Sequence, residues 1–323
     1  MPEALRAPRV ALTASTAHRT IGAAIQALRL DLCPERARVV GGSRGRDGRV
    51  TDDGRRTAPS ADDRADDPAD CALLIFSCDK YRDVWAPCLA LHRHYWPDCP
   101  YPTFLVSETV PVEDPRVGSI MVGAGLTWSE MAQCALQSLS HRDVLFMVED
   151  FFLTRSVSSA AIEARRRTLR TLGGGYLRLV PAPRPNRRVA GHPEIGEHER
   201  GSPFRASLQA AFWDRRTFVD LLRPEESIWD FEHKASVRSA AITAPFYATW
   251  QNTLRYVNAV ERGRWTPPGR QACWRAGLRL DRVRPDVALH WWLRMPFRHA
   301  RLAARGPVVR HVRKALGLLP DPG

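Results

Sequence analysis

Apolar residues along this chain fall in short blocks separated by polar punctuation. The most informative block is Val144-Leu145-Phe146-Met147-Val148, which runs into Glu149-Asp150 and resumes at Phe151-Phe152-Leu153. A short continuous apolar run predicts a strand buried on both faces, as in a sheet covered by helices. Cys71 to Phe76 is a second such run, Tyr101 to Ser107 a third, Ile120 to Val122 a short one and Tyr176 to Val180 another. Between them the spacing turns helical. Val84, Cys88, Leu91 and Tyr95 share one face of a helix, and Trp128, Met131, Ala135 and Leu139 lie near one stripe of a second. Ser158 to Leu172 reads as a third helix, closed by Gly173-Gly174-Gly175, with Arg165-Arg166-Arg167 as a solvated face. This alternation predicts an α/β fold with a mostly parallel sheet flanked by helices. Pro181 to Pro203 reads as one long loop, of a length that is usually functional or disordered.

The ends of the chain differ from its middle. Residues 1–69 are Arg, Asp, Gly, Ser and Ala with little apolar content, apart from a short amphipathic stretch at Ile21 to Leu32. They predict a disordered arm. Residues 70–285 carry the strand and helix pattern and predict one catalytic-sized domain. Residues 286–323 form a tail in which Trp291, Trp292 and Phe297 are interleaved with arginines. Such a tail suits the headgroup layer of an anionic membrane, or a helix packed on its own domain with the arginines in water. No run of about 18 uninterrupted apolar residues crosses a bilayer.

The formal charge of +13 admits nucleic acid, an anionic surface or phosphorylated small molecules as partners. A basic nucleic-acid-binding protein without catalytic activity is one reading of it, but none of the RRM, KH, zinc-finger or helix-turn-helix patterns accompanies the charge. Seven cysteines without a Cys-x-x-Cys pair read as small core residues in a reducing cytoplasm. GxGxxG and GxxxxGK[ST] are both lacking, which argues against dinucleotide and P-loop sites.

Candidate chemistry gathers at strand ends. Glu149 and Asp150 close an apolar strand, where buried carboxylates need water, a metal or a donor. The carboxyl end of a parallel strand is where open α/β sheets bind ligands, and carboxylate oxygens suit a hard cation bridging phosphates. The alternative is an acidic turn with both charges solvated. Ser77-Cys78-Asp79-Lys80-Tyr81 follows the first strand directly, and Asp79 either meets a ligand or caps the next helix. Gln209 and Trp213, four apart, would share a face if Ser207 to Asp214 were helical, with Trp213 either exposed or packed beneath the sheet. Ser227 three residues before Asp230 has the spacing of a helix N-terminal box, which would place Asp230 at the helix start and leave Glu232 on another face. Trp128 reads as core or as a base-stacking ring. His92 and His94 read as core or surface histidines, and Arg178 ends a strand where it could face a phosphate.

Four segments occur in a fixed order: Ser77-Cys78-Asp79-Lys80-Tyr81, Glu149-Asp150-Phe151-Phe152, Ser207 to Asp214, and Glu226-Ser227-Ile228-Trp229-Asp230-Phe231-Glu232. In that order the chain resembles bacterial GT-A-type glycosyltransferases of capsule and exopolysaccharide clusters, over roughly residues 72–265. The resemblance implies transfer of a sugar from a nucleotide-sugar donor to a glycan or lipid-linked glycan hydroxyl. It places Ser77, Asp79, Lys80 and Tyr81 at the nucleotide, and Glu149 and Asp150 at the donor diphosphate and its Mn2+ or Mg2+. Gln209 and Trp213 would serve the acceptor. Glu232, with Asp230 as alternate, would take the acceptor proton if transfer inverts the anomeric centre. The metal motif of the family is Asp-x-Asp, and this chain departs from it with Val148, so metal dependence does not follow from the pattern. The cysteines point to work in a reducing cytoplasm, and the aromatic, basic tail, if it lies on lipid, to the inner face of the membrane.

Overall fold

The computed structural model describes residues 37–41, 67–280 and 284–288. The amphipathic stretch at 21–32, most of the arm and the aromatic tail beyond residue 288 lie outside the described residues. Among the described residues, no helix is long and apolar enough to cross a membrane.

Buried apolar runs become the strands they predict. β2 (Cys71–Phe76), β3 (Thr103–Ser107), β4 (Gly118–Met121) and β5 (Asp143–Val148) are hydrogen-bonded in the order β4-β3-β2-β5, all parallel. The crossovers are α1 (Arg82–Tyr95) and α2 (Trp128–Gln137). Val84, Cys88 and Leu91 of α1 are buried as their spacing requires. Thr127 caps α2 in a reciprocal box with Glu130, which satisfies helix-end N–H groups that would otherwise lack partners.

Beyond β5 the sheet stops being parallel. β10 (Ala211–Asp214) inserts antiparallel between β5 and β7 (Tyr176–Arg178), and β11 (Phe246–Thr249) runs parallel to β7. The hairpin β8 (Arg187–Val189) and β9 (His192–Glu197) closes this side, with β9 antiparallel to β11. The long loop expected at 181–203 therefore holds two strands. Its prolines and arginines hid a pairing supplied by distant β11. On the other edge β1 (Arg38–Val40), inside the stretch read as a disordered arm, pairs antiparallel with β4. The ten-stranded sheet is mixed, not mostly parallel.

Two apolar layers cover it. On one face, α1 and α3 (Ser159–Thr171) bury Leu73, Ile75, Leu145, Met147, Leu177 and Phe212. On the other, α2, α4 (Arg215–Leu221) and α5 (Ile228–Arg238) bury Leu74, Phe76, Val144, Phe146, Tyr176 and Trp213. Alternate residues of one strand thus serve opposite layers, which is the period-two geometry of a strand buried on both sides.

Arg166 is not on a solvated face. It is fully buried, donates to Glu163 at 2.7 Å and to Asp143 at 3.2 Å, and Arg170 joins Asp143 and Asp214. The Tyr101 hydroxyl donates to Glu163 at 2.8 Å. This cluster pins α3 to the amino end of β5, opposite to the end that carries Glu149. Cys71, Cys88, Cys134 and Cys273 are buried as small core residues, whereas Cys78 and Cys99 are half-buried; Cys71, Cys78, Cys88, Cys99 and Cys273 are free thiols.

Candidate active site at the strand switch point

From β2 the chain steps outward to β3 and β4, and then returns to place β5 on the other side of β2. The connections therefore leave a crevice between the carboxyl ends of β2 and β5, the position where open α/β sheets bind ligands. Phe76 pairs with Val148, so Ser77 and Glu149 are the first residues past the two strand ends. The Glu149 N–H donates to the Phe76 carbonyl at 3.3 Å.

The apolar block is broken at the acid pair. Glu149 and Asp150 form a turn, after which β6 (Phe151–Leu153) leaves the main sheet and pairs with β12 (Tyr256–Asn258). The Asp150 carbonyl accepts from Ala259 N–H at 2.7 Å. Burial pushes both carboxyls well above the ordinary carboxylate range. Asp150 adds repulsion at Glu149, Glu261 adds it at Asp150, and Arg284 partly offsets each. The alternative of two solvated charges does not describe Glu149, which is 9% exposed.

Asp79 neither caps α1 nor points free into the crevice. Its carboxylate accepts from the Thr109 hydroxyl at 2.6 Å and from the N–H groups of Glu108, Thr109 and Val110 at 3.1–3.3 Å. Burial works to raise its pKa, but these hydrogen bonds outweigh it and hold the carboxyl below the ordinary value. Asp79 therefore fixes the β3–β4 loop beside the crevice. Ser77 accepts from the Trp85 indole at 2.7 Å, and its hydroxyl also reaches Glu149. Lys80 is exposed. The Tyr81 ring lies under the Arg284 guanidinium, 4.5 Å from its carbon.

Arg284 is a site residue that the sequence did not single out. It donates twice to Asp83, at 2.7 and 3.0 Å, and its side chain is only 8% exposed. Its segment is bound by Trp265 N–H to the Pro285 carbonyl and Val287 N–H to the Trp265 carbonyl, both 2.9 Å. No spacing rule distinguishes one arginine among 48 Lys and Arg. Only a partner 201 positions away does.

β10 runs antiparallel with Ala211 opposite Phe146, so Leu208 and Gln209 return to the level of the acid pair. Ser207 to Asp214 is therefore not a helix. Trp213 lies on β10, fully buried and stacked on Phe218 at 4.4 Å, and it offers no face to an acceptor. Gln209 is half-buried, accepts from the Tyr256 hydroxyl at 2.6 Å, and does not share a face with an exposed ring. Tyr256 itself stacks on Phe151 at 4.3 Å. Trp128 packs between Phe76 and Phe231 as core. His92 is buried, and burial lowers its pKa to about 4, while His94 is exposed.

Ser227 caps α5 in a reciprocal box with Asp230, as the spacing predicts. Asp230 is held there by the Ser227 hydroxyl at 2.6 Å and by Lys234 at 3.1 Å. Glu232, on another face, accepts from Leu208 N–H at 2.9 Å and the Ser207 hydroxyl at 3.3 Å, on the segment level with the acid pair. Arg178 is fully buried and donates to the carbonyls of Phe204 and Pro183 at 3.2 and 2.8 Å, so it organises a loop and does not meet a phosphate.

Whether these residues fit a divalent cation is a question of donors. Among the described residues, no group of three or more His, Cys, Asp or Glu side chains could hold a metal ion. Two crowded carboxylates do fit a cation whose remaining ligands are phosphate oxygens and water, the usual manner for Mg2+.

No family model matches this chain, and no curated protein matches it. Among solved structures it is similar to S. aureus TarS, with 11% identity over 58% of this chain and a TM-score of 0.38. The chain spans 36% of that protein's length. A likeness of this degree carries no argument about activity, which rests on the site alone.

Proposed function

We propose that this chain is a GT-A-like glycosyltransferase, moving a sugar from a nucleotide-sugar to a hydroxyl of a glycan or lipid-linked glycan. One observation carries the reading: two adjacent carboxylates, Glu149 buried and Asp150 half-buried, at the crevice between the carboxyl ends of β2 and β5, with Asp150 repelling Glu149. Such a pair is costly in the free protein and becomes favourable when positive charge arrives with a ligand.

The nucleotide lies along Ser77 to Tyr81 and the loop held by Asp79. The diphosphate faces Arg284, and Glu149 and Asp150 would hold Mn2+ or Mg2+ there. A bound cation would neutralise charge that develops on the leaving diphosphate. Glu232 accepts the acceptor hydroxyl proton as the oxygen bonds to the anomeric carbon. The bond from that carbon to the diphosphate breaks, and the phosphate oxygen keeps the electron pair. Asp230 serves the helix cap and Lys234, whereas Glu232 meets the segment level with the acid pair, which favours Glu232 as the base.

The test is a thermal-shift screen of UDP-, GDP-, dTDP- and CDP-sugars with and without Mn2+ or Mg2+, followed by transfer assays. A native-state ligand must raise Tm. Glu149→Gln and Asp150→Asn should remove turnover, whereas Glu232→Gln should retain the donor-induced shift and lose transfer. No shift with any donor sinks the reading.

A further inference from the structure

Phe204 has φ +52°, a left-handed conformation that a bulky side chain adopts only under constraint. The constraint is visible. Its carbonyl accepts from buried Arg178, which extends from the carboxyl end of β7. The next residue, Arg205, is 1% exposed, donates to the Ser239 carbonyl at 2.6 Å, and lies 4.1 Å over the Phe246 ring. Yet the ring so positioned is not core, because Phe204 is 41% exposed. Two buried arginines hold a strained backbone that delivers an aromatic side chain to solvent. Packing alone gives no reason for this.

The surroundings do. The Phe204 ring lies 5.6 Å from the ring of His233, the neighbour of Glu232. Residues 206–208 continue along α5: the Ala206 carbonyl accepts from Ser236, and Ser207 and Leu208 donate to Glu232. Trp229, one turn before His233 on the same helix face, is 72% exposed. Phe204 and His233 thus pack ring to ring, and Trp229 presents a third exposed ring one turn away on the same helix face, an aromatic wall beside the carboxylate assigned to the acceptor proton. On this stretch of α5 the acids Asp230 and Glu232 outnumber Lys234, which pairs with Asp230, so the rings carry no cationic patch for an anionic lipid surface.

We propose that this wall is the acceptor subsite and takes the apolar face of a pyranose ring in a neutral oligosaccharide. Sugar C–H groups pack against the rings while the hydroxyls stay wet, and one of them reaches Glu232. The inference rests on the glycosyltransferase reading.

Saturation-transfer NMR with maltotriose, cellotriose and chitotriose tests it directly. Wild-type protein should transfer to ring protons of at least one sugar. Phe204→Gly and Trp229→Ala should weaken that binding by about tenfold, the effect of losing one aromatic contact. Glycine tolerates positive φ, and this relief offsets much of the lost ring contact and the added unfolded-chain entropy, so Phe204→Gly should melt within a few degrees of wild type. Trp229 is exposed, so its variant stays folded even if Phe204→Gly does not. Both variants should keep the Tm rise with nucleotide-sugars. Equal sugar binding in wild type and both variants, or none in wild type, overturns the subsite. Sugar binding without any nucleotide-sugar response would instead overturn the transferase reading and leave the subsite standing.

Discussion

Glu149 and Asp150 set an unusual condition at a single turn: two carboxyls held above their ordinary range by burial and by neighbouring negative charge. A group of this kind destabilises the native state when ionised, so its neutral isostere should stabilise. Glu149→Gln or Asp150→Asn should raise Tm without ligand by roughly 2 °C or more, since about 1 kcal/mol moves a protein of this size by 2–4 °C. Calorimetry at pH 8 checks this, and a lower Tm in both variants would mean that the charges are already satisfied. His198 gives the opposite case. Burial, then Arg178, then Arg205 lower its pKa to about 3. The folded pKa lies below the unfolded one, so the unfolded chain binds the extra proton between them. Stability is complete above pH ~6.5 and is lost as pH falls towards the folded value, by at most about 1.4 kcal/mol per pH unit. Urea titrations at pH 7 and pH 5 should show the loss, and His198→Gln should flatten it. An unchanged slope in that variant would place the acid sensitivity elsewhere.

Elements are held by partners from far along the chain, and α3 shows what that is worth. Asp143 is fully buried beneath Arg166 and Arg170. Asp143→Asn removes one of the two carboxylates that each buried guanidinium meets, Glu163 remaining at Arg166 and Asp214 at Arg170, which should destabilise by about 3 kcal/mol. Chemical denaturation measures it, and a loss below about 1 kcal/mol would mean that Asp214 and Glu163 suffice. The same dependence explains what could be read from sequence. β2, β3 and β5 were legible because burial on both faces forces uninterrupted apolar runs. The α5 start was legible because the Ser227–Asp230 cap is local. β10 was not, since Ala210-Ala211-Phe212-Trp213 suits a helix face equally well and only the β5 and β7 ladders decide. The hairpin β8–β9 and strand β1 were hidden for the same reason. Arg166 was misread because a triple-arginine run carries no mark of the buried acids above it.

At the scale of the whole molecule, the crevice belongs to both ends of the described chain. The amino-terminal half supplies the β2 loop and the acid pair. The carboxyl-terminal part returns through β12 to hold the Asp150 carbonyl, and then lays residues 284–288 against β14 (Arg264–Trp265). Arg284 joins the two by gripping Asp83 in the first turn of α1, with Tyr81 beneath it. Its charge lowers the pKa of both acidic residues, and the pull of Asp83 keeps it charged. An arginine so placed serves a diphosphate in either of two ways: by direct contact, or by keeping the carboxylates ionised for a cation. Arg284→Gln removes both. It should lower the Tm of the free protein by an amount equivalent to about 1–3 kcal/mol, because Asp83 loses a largely buried partner. It should also sharply reduce the nucleotide-sugar shift. Added Mn2+ separates the two routes. If Arg284 acts through the carboxylates, raising the metal concentration restores the donor-induced shift, because the cation itself competes for the ionised pair. If Arg284 contacts the diphosphate, no metal concentration restores it, and Arg284→Lys recovers only part, since an ammonium keeps the charge but cannot span Asp83 and a phosphate with one planar group. A donor shift in Arg284→Gln equal to that of wild type would remove Arg284 from the site and leave its contacts with Asp83 and Tyr81 as a structural clasp.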